Sequence, residues 1–290
     1  HRSGIPYYPK LITAIPYTPA SGPRILVDED QHYDDYAKQL TDFAIKHAES
    51  INVSSLHWLF TDKRDTELLK SQGLSLRLGC QFHWLNLPYQ SFDDFLSHLS
   101  SSKRKKIKRE RRQVREQGIE FEIRHGDEMN DELWDIYHDF YTSTFDKKSG
   151  MATLSNKFFR EIGETMPRNV VIIFAKHQGQ YIASAFNLRD QSTLYGRHWG
   201  CSEEFHSLHF EACYYQGLDY CIQHGLQRFE PGAQGEHKIS RGFLPTDTWS
   251  AHWISHPEFN QVIKNYTQHE QQGMQHYIDS LCDHSPFKLS

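Results

Sequence analysis

The chain has 290 residues, 38% hydrophobic and 13% aromatic, which is enough apolar material for one large or two small cores and too much for a disordered chain. No apolar run approaches the roughly eighteen residues of a membrane helix, the longest being the strand-sized Val170–Ala175. A net charge of −5 offers no general attraction for nucleic acid, and five cysteines, odd in number and without a C-x-x-C pair, argue against a disulfide framework or a cysteine zinc site. Reduced thiols in a cytoplasmic protein are the expectation. The first residues show no basic-then-apolar leader, and an opening His1 in place of Met reads as a fragment or processed form.

In chain order, Lys10 to Ile15 reads as a strand ending in a proline-rich loop. Asp30 is placed to cap a helix with Tyr33, Ala37, Leu40 and Ala44 on one face. Ser54 to Phe60 is a strand, Asp65 to Gln72 a short helix closed by Gly73, and Gln81 to Leu87 a strand whose alternation separates Phe82, Trp84 and Asn86 from His83 and Leu85. Ser91 and Asp94 form a capping-box-like start for a helix running to about Gln117, ended by Gly118. Its Lys103–Glu116 stretch holds nine basic and two acidic residues, +7 in a chain of net −5. Such a helix is either a solvated face bridging two domains or a face that meets phosphates, with Arg104, Lys105 and Lys108 the candidate contacts.

From Ile119 a second unit is expected. It has a strand Phe121–Arg124, a helix capped by Asn130, the loop 147–150, and a helix capped by Ser155. Three strands joined by tight turns follow, Val170–Lys176, Tyr181–Leu188 and Thr193–Cys201, then a helix from about Leu208 to His224. A short strand Gln227–Glu230 stops at Pro231, Thr248–Ile254 is the last strand, and the tail from Pro257 to Asp283 reads as helix broken near Gly273.

The loop after Glu230 is dense in groups that move protons or hold anions: Gln234, Glu236, His237, Lys238 and Arg241. Gly232, Gly235 and Gly242 punctuate it and permit positive φ. Loops just past strand ends are where α/β folds place chemistry, although a solvated loop of ordinary charges fits the same residues. On strand Tyr195–Gly200, alternation puts Arg197 and Trp199 on one side and His198 on the other. His198 is a candidate base or a hydrogen-bonded core residue, and Glu211 either orients it or opposes a helix dipole. No H-E-x-x-H or other regular ligand spacing occurs among the nineteen histidines, so no metal is expected.

The element order resembles the GNAT fold of N-acyltransferases, with the first ninety residues similar to the second half of one such unit. Several stretches resemble the FemAB-like subgroup of the Fem-type aminoacyl and acyl transferases, described as acting in peptidoglycan biosynthesis or recognition. They are Tyr7-Tyr-Pro-Lys-Leu, Gln81-Phe-His-Trp-Leu-Asn, Lys103-Arg-Lys-Lys-Ile, Tyr195-Gly-Arg-His-Trp-Gly and Gly232-Ala-Gln-Gly-Glu-His-Lys. The likeness covers nearly all of the chain to about Ile254. It implies an α/β fold of the α+β type: tandem GNAT-like units with mixed, mostly antiparallel sheets, joined by a long basic helix. The divisions are 1–90, 91–118, 119–256 and a tail 257–290. It also implies that the opening elements of the first unit lie upstream of His1.

The resemblance implies acyl transfer to an amine, with acyl-CoA or aminoacyl-tRNA as donor and a peptidoglycan precursor as acceptor. Where acetyl-CoA enzymes carry a glycine-rich pyrophosphate turn, this chain reads Cys201-Ser-Glu-Glu-Phe-His-Ser207, whose carboxylates oppose an anion. Glu236, His237, Lys238 and His198 are then the candidate catalytic groups. Arg197, Trp199, Glu211, Gln234, Arg241, His83, Trp84, Arg104, Lys105 and Lys108 are the candidate substrate contacts. A non-catalytic module reading an anionic cell-wall precursor or nucleic acid through the basic helix is the alternative, and a scaffold whose pockets survive only as structure is a third.

Overall fold

A computed structural model describes residues 7–28, 32–147, 150–233 and 235–288. The expected cap Asp30, loop residue Gln234 and the middle of loop 147–150 lie outside these. The chain divides into two compact units, one of residues 1–81 and 245–283, the other of 82–244 and 284–290. Among the described residues no helix is long and apolar enough to cross a membrane.

In unit 1, β1 (Leu11–Thr13) runs parallel to β2 (Ser55–Thr61) with Leu11 opposite Leu56. β9 (Leu244–Ile254) pairs antiparallel on the other side of β2, with Leu56 opposite Trp253 and His57 opposite His252. Helices α1 (Tyr33–Ser50) and α2 (Lys63–Ser71) bury Tyr33, Ala37, Ala48 and Leu69 against Leu56, Trp58 and Ala251. Asp62 caps α2 by accepting from the Asp65 N–H at 2.8 Å. Asp65 is fully buried and satisfied by the Tyr33 hydroxyl and the backbone N–H groups of Arg24 and Ile25. The expectation placed the last strand with the second unit. The β2 pairing brings it to unit 1, together with α9 (Pro257–Cys282), whose Glu270 takes a bidentate pair from Arg77 at 2.7 and 2.8 Å. Helix α9 does not break at Gly273, because a single exposed glycine costs helix stability of only about 1 kcal/mol.

The chain enters unit 2 within β3 (Ser75–Leu85). The basic segment forms two helices, α3 (Phe92–His98) and α4 (Ser101–Glu116), where one was expected. Leu99 turns extended and Ser100 caps the second with β-like ψ, so the run interrupts at 99–100. Ser91 does cap α3, accepting from the Asp94 N–H at 3.1 Å.

Beyond it come β4 (Ile119–His125), α5 (Asp131–Lys147), α6 (Asn156–Thr165), β5 (Val170–His177), β6 (Gln180–Arg189) and β7 (Thr193–Cys201). Strands β4 to β7 form an antiparallel meander. Helix α7 (Leu208–Phe210) then opens into a π-helical turn, Glu211–Tyr215, and closes as α8 (Gln216–Gln223). β8 (Arg228–Glu230) runs parallel to β7 and antiparallel to the end of β3. This is the mixed, mostly antiparallel GNAT-like arrangement read from the sequence, with Asn130 and Ser155 capping as expected at 2.9 and 3.3 Å.

Helix α5 lies close against β7. A Cβ built on Gly200 would stand 2.0 Å from the Phe140 carbonyl oxygen, and Thr144 Oγ1 donates to the Trp199 carbonyl at 2.6 Å. Gly200→Ala should therefore push α5 away and cost about 1–3 kcal/mol, the range of overpacking changes. A urea unfolding midpoint equal to that of the parent would contradict this packing.

Candidate active site

Strand β8 is three residues long because Pro231, which has no N–H, follows it. Its ladder with β7 covers only Thr193, Leu194 and Tyr195, while β7 continues to Cys201. A Cβ on Gly196 would still meet the Cα of Pro231 at 3.1 Å, and beyond this point the strands part. A cavity of about 370 Å3 opens there, walled by Asn187, Arg197, His198, Trp199, Tyr141 and Tyr214.

Strict alternation would put Arg197 and His198 on opposite faces. The β6–β7 register instead jumps from Asn187–Gly196 to Phe186–His198, making Arg197 the extra residue of a β-bulge. The bulge re-aims the side chain, and Arg197, His198 and Trp199 all line the one cavity.

Arg197 is half-buried, and burial lowers its pKa; the phenols of Tyr137 and Tyr141 act against that. Among the described residues no carboxylate pairs with it. His198 Nδ1 stands 3.2 Å from the Tyr137 hydroxyl, with its ring edge-on to Tyr141 at 4.8 Å. Burial, then the neighbouring Arg197 cation, push its pKa down to about 3, so the imidazole is neutral. That is a hydrogen-bonded wall, and the second of the two readings of His198 suits it.

The loop after Pro231 tightens into a 3-10 turn, Glu236–Arg241, bracketed by Gly235 at φ 113° and Gly242 at φ 96°. His237 leaves this turn and places Nε2 3.0 Å from the hydroxyl of Tyr214 on the cavity wall. Burial, then Arg241, Lys238 and Lys106, hold the His237 pKa down, so a neutral imidazole can accept from that phenol. Burial keeps the phenol protonated, far above its ordinary range. Lys238 is 2% exposed and donates from Nζ to the Gly232 carbonyl at 2.7 Å. Burial lowers its pKa to about 8, opposed by the Cys213 thiol, itself a cavity-wall group. Glu236 is exposed at the start of the same turn.

Other expected residues sit elsewhere. Arg241 is 2% exposed, donates from Nη2 to both oxygens of Glu110 on α4 at 2.9 and 3.0 Å, and lies 3.6 Å over the Phe210 ring. Glu110 also accepts from the Tyr215 hydroxyl. Glu211 faces Arg111 of α4 at 3.1 Å, and the same guanidinium holds Asp219 at 2.7 Å. These carboxylates anchor the basic helix and do not enter the cavity. Trp84 is fully buried against Tyr89 and Phe95, and His83 is buried 3.9 Å from Glu230, its pKa lowered to about 3 by burial and then by Arg228 and Lys238. Lys105 and Lys108 are exposed, Arg104 half-exposed, along a groove of about 890 Å3 beside α3; Lys108 reaches Asp93 at 2.9 Å.

Sequence reasoning passed over Tyr141, Tyr214, Asn187 and Cys213. The aromatic run Phe210–Tyr215 was visible, yet only the π-helical turn decides which of its tyrosines meets the cavity.

FemX superposes with a TM-score of 0.57 at 12% identity, covering 87% of this chain and 85% of that one. The L-PGS of Bacillus licheniformis gives 0.57 at 9%, covering 80% and 78%. The C-terminal domain of a putative lysylphosphatidylglycerol synthetase from Agrobacterium fabrum gives 0.57 at 8%, covering 78% and 75%. At such identities the likeness is one of fold. No curated protein matches the chain in sequence. The family model FemAB-like, described as peptidoglycan biosynthesis/recognition, matches residues 1–289, and the chain belongs to the FemAB-like family.

Proposed function

We propose that unit 2 catalyses acyl or aminoacyl transfer to an amine of a peptidoglycan precursor, in the cavity where β7 and β8 part. The observation that carries this reading is Arg197, a half-buried guanidinium turned by a bulge into a cavity where no carboxylate of the described residues pairs with it. A cation kept without a counter-charge costs stability unless a ligand supplies the anion. Arg197 is suited to hold a carboxylate or phosphate, or the oxyanion that forms as an amine adds to the acyl carbonyl.

The attacking amine must lose a proton. The Tyr214–His237 pair can take it without forming a phenolate: the Tyr214 proton moves to Nε2 of His237 as the amine proton moves to the Tyr214 oxygen. The Tyr137 hydroxyl fixes His198 in the cavity wall, and Trp199 supplies apolar surface. Glu236, exposed beside His237, is the competing base. The donor, acyl-CoA or aminoacyl-tRNA, carries phosphates that suit the exposed cations of α4. That same row of cations favours the second reading, an anion-binding module without catalysis.

Transfer assayed with each donor and a precursor bearing a free amine separates these. Tyr214→Phe and His237→Asn should each lower turnover by about 10²–10⁴ with folding retained, and Glu236→Gln should lower it far less. The reverse order would make Glu236 the base, and parent rates in all three would remove catalysis from this cavity.

Replacing Arg104, Lys105 and Lys108 together by Ala should weaken binding of the donor more at low than at high salt, since exposed charges are screened over about 8–10 Å near physiological ionic strength. A loss indifferent to salt would assign those residues a packing role.

Lys238 also makes a pH signature. Its folded pKa near 8 lies below that of an unfolded lysine, so between pH 8 and the ordinary lysine range the unfolded chain holds the extra proton. Stability should rise with pH across that window, and Lys238→Met should remove the rise in urea unfolding series; an unchanged slope would show that Lys238 titrates normally.

A further inference from the structure

Unit 1 contains a cavity of about 310 Å3 with no part in the chemistry above. One side is polar. Ser55 Oγ, His57, His252 and Ser250 Oγ form a continuous hydrogen-bonded row, with contacts of 2.8 Å from Ser55 to His57 Nε2, 2.7 Å between the two Nδ1 atoms, and 2.9 Å from His252 Nε2 to Ser250. Every ring nitrogen in the row is engaged. Burial, then Lys10 for His57 and His57 for His252, push both imidazoles down to about 4, so the row carries no charge at neutral pH. The lining also has apolar side chains, Ile254, Phe259 and Ile263.

Two cations line the space. The Arg77 charge is neutralised by its bidentate pair with Glu270. Lys10 is not: among the described residues its Nζ sits 3.8 Å from the Tyr7 ring and 5.1 Å from that of Tyr8, and no carboxylate pairs with it. His256 and Phe259, from the cap and first turn of α9, also border the cavity and bring the positive end of a helix dipole to it. The walls therefore present one uncompensated positive charge, a neutral histidine row and an apolar surface, which suits a small singly charged anion carrying an apolar body.

We propose that unit 1 carries a second ligand site, where Lys10 holds the carboxylate or sulfonate head of a small amphipathic monoanion whose apolar body packs on Ile254, Phe259 and Ile263. The inference does not rest on the transfer reaction of unit 2, and its test is read in unit 1.

Hexanesulfonate, ionised at every usable pH, is the probe, with hexanol as its uncharged counterpart. Calorimetric titration gives the affinity, and imidazole NMR resonances of His57 and His252 give the location in the unaltered protein. The expected result is saturable movement of both sets of resonances with hexanesulfonate, weaker binding of hexanol, and about ten- to hundredfold weaker sulfonate binding in Lys10→Met, the loss of one charge-assisted contact. Lys10→Gln serves as a second variant that keeps a polar end, and should bind weakly as well. Resonances that stay put at millimolar hexanesulfonate, equal binding of hexanol, or parent affinity in a folded Lys10 variant would each overturn the proposal.

Discussion

The early stop of β8 at Pro231 is the constraint on which the working part of unit 2 depends. A parallel ladder needs an N–H from alternate residues of each strand, and proline withdraws one at the position where the ladder would continue. β7 consequently loses its β8 neighbour after Tyr195, while its pairing with β6 continues to Cys201. Much of what gives the cavity its character occurs on this second half of β7, which keeps β6 as its neighbour on the other side: the bulge at Arg197, the neutral His198, the Trp199 surface, and the close seat of α5 on Gly200.

The Glu236–Arg241 turn, which reaches the cavity wall through the His237–Tyr214 contact, is held by charge. Glu110 of α4 is almost wholly buried, and it receives Arg241 and Tyr215 together. One turn face along, Arg111 gathers Glu211 and Asp219. A buried pair of this kind is weak support for stability in itself, but removing one partner leaves an unmatched charge inside, typically a loss of about 3–5 kcal/mol. Its value here is positional. It ties the Glu236–Arg241 turn to a basic helix whose other face is free to meet an anion, so the two features most conspicuous in the sequence share one anchoring network.

The sequence made the local elements legible, because hydrophobic period, caps and turn residues are local. Ser91, Asn130 and Ser155 cap as read, and the hairpins of β5, β6 and β7 fall where short polar turns separate apolar runs. What stayed hidden depends on partners far away in the chain. The last strand joins β2 because of a pairing between Leu56 and Trp253 that no window could reveal. Arg197 departs from alternation through a single extra residue whose side of the sheet only the neighbouring strand defines. Tyr214 meets His237 through a π-helical turn, where a normal helical period predicts a different face. Arg241 and Glu211 pair with Glu110 and Arg111 of α4, partners a hundred residues away or more in the chain, which their residue types alone do not disclose.

That unit 1 is assembled from two stretches separated by residues 82–244 bears on its synthesis. Its sheet cannot close until Trp253 is available to pair with Leu56, whereas residues 82–244, nearly all of unit 2, are contiguous and are made before Trp253. At translation speeds of about 5–20 residues per second, β1 and β2 wait on the order of ten seconds or more with one edge of β2 open. Unpaired strand edges of this sort recruit other strands, which makes the interval one of exposure to misassembly and to chaperones. In unit 2 the end of β3 also waits for β8, since Trp84 pairs with Phe229, but that wait is the shorter, so vectorial synthesis favours a nascent chain in which the proposed catalytic unit is folded while the anion pocket of unit 1 is still unmade.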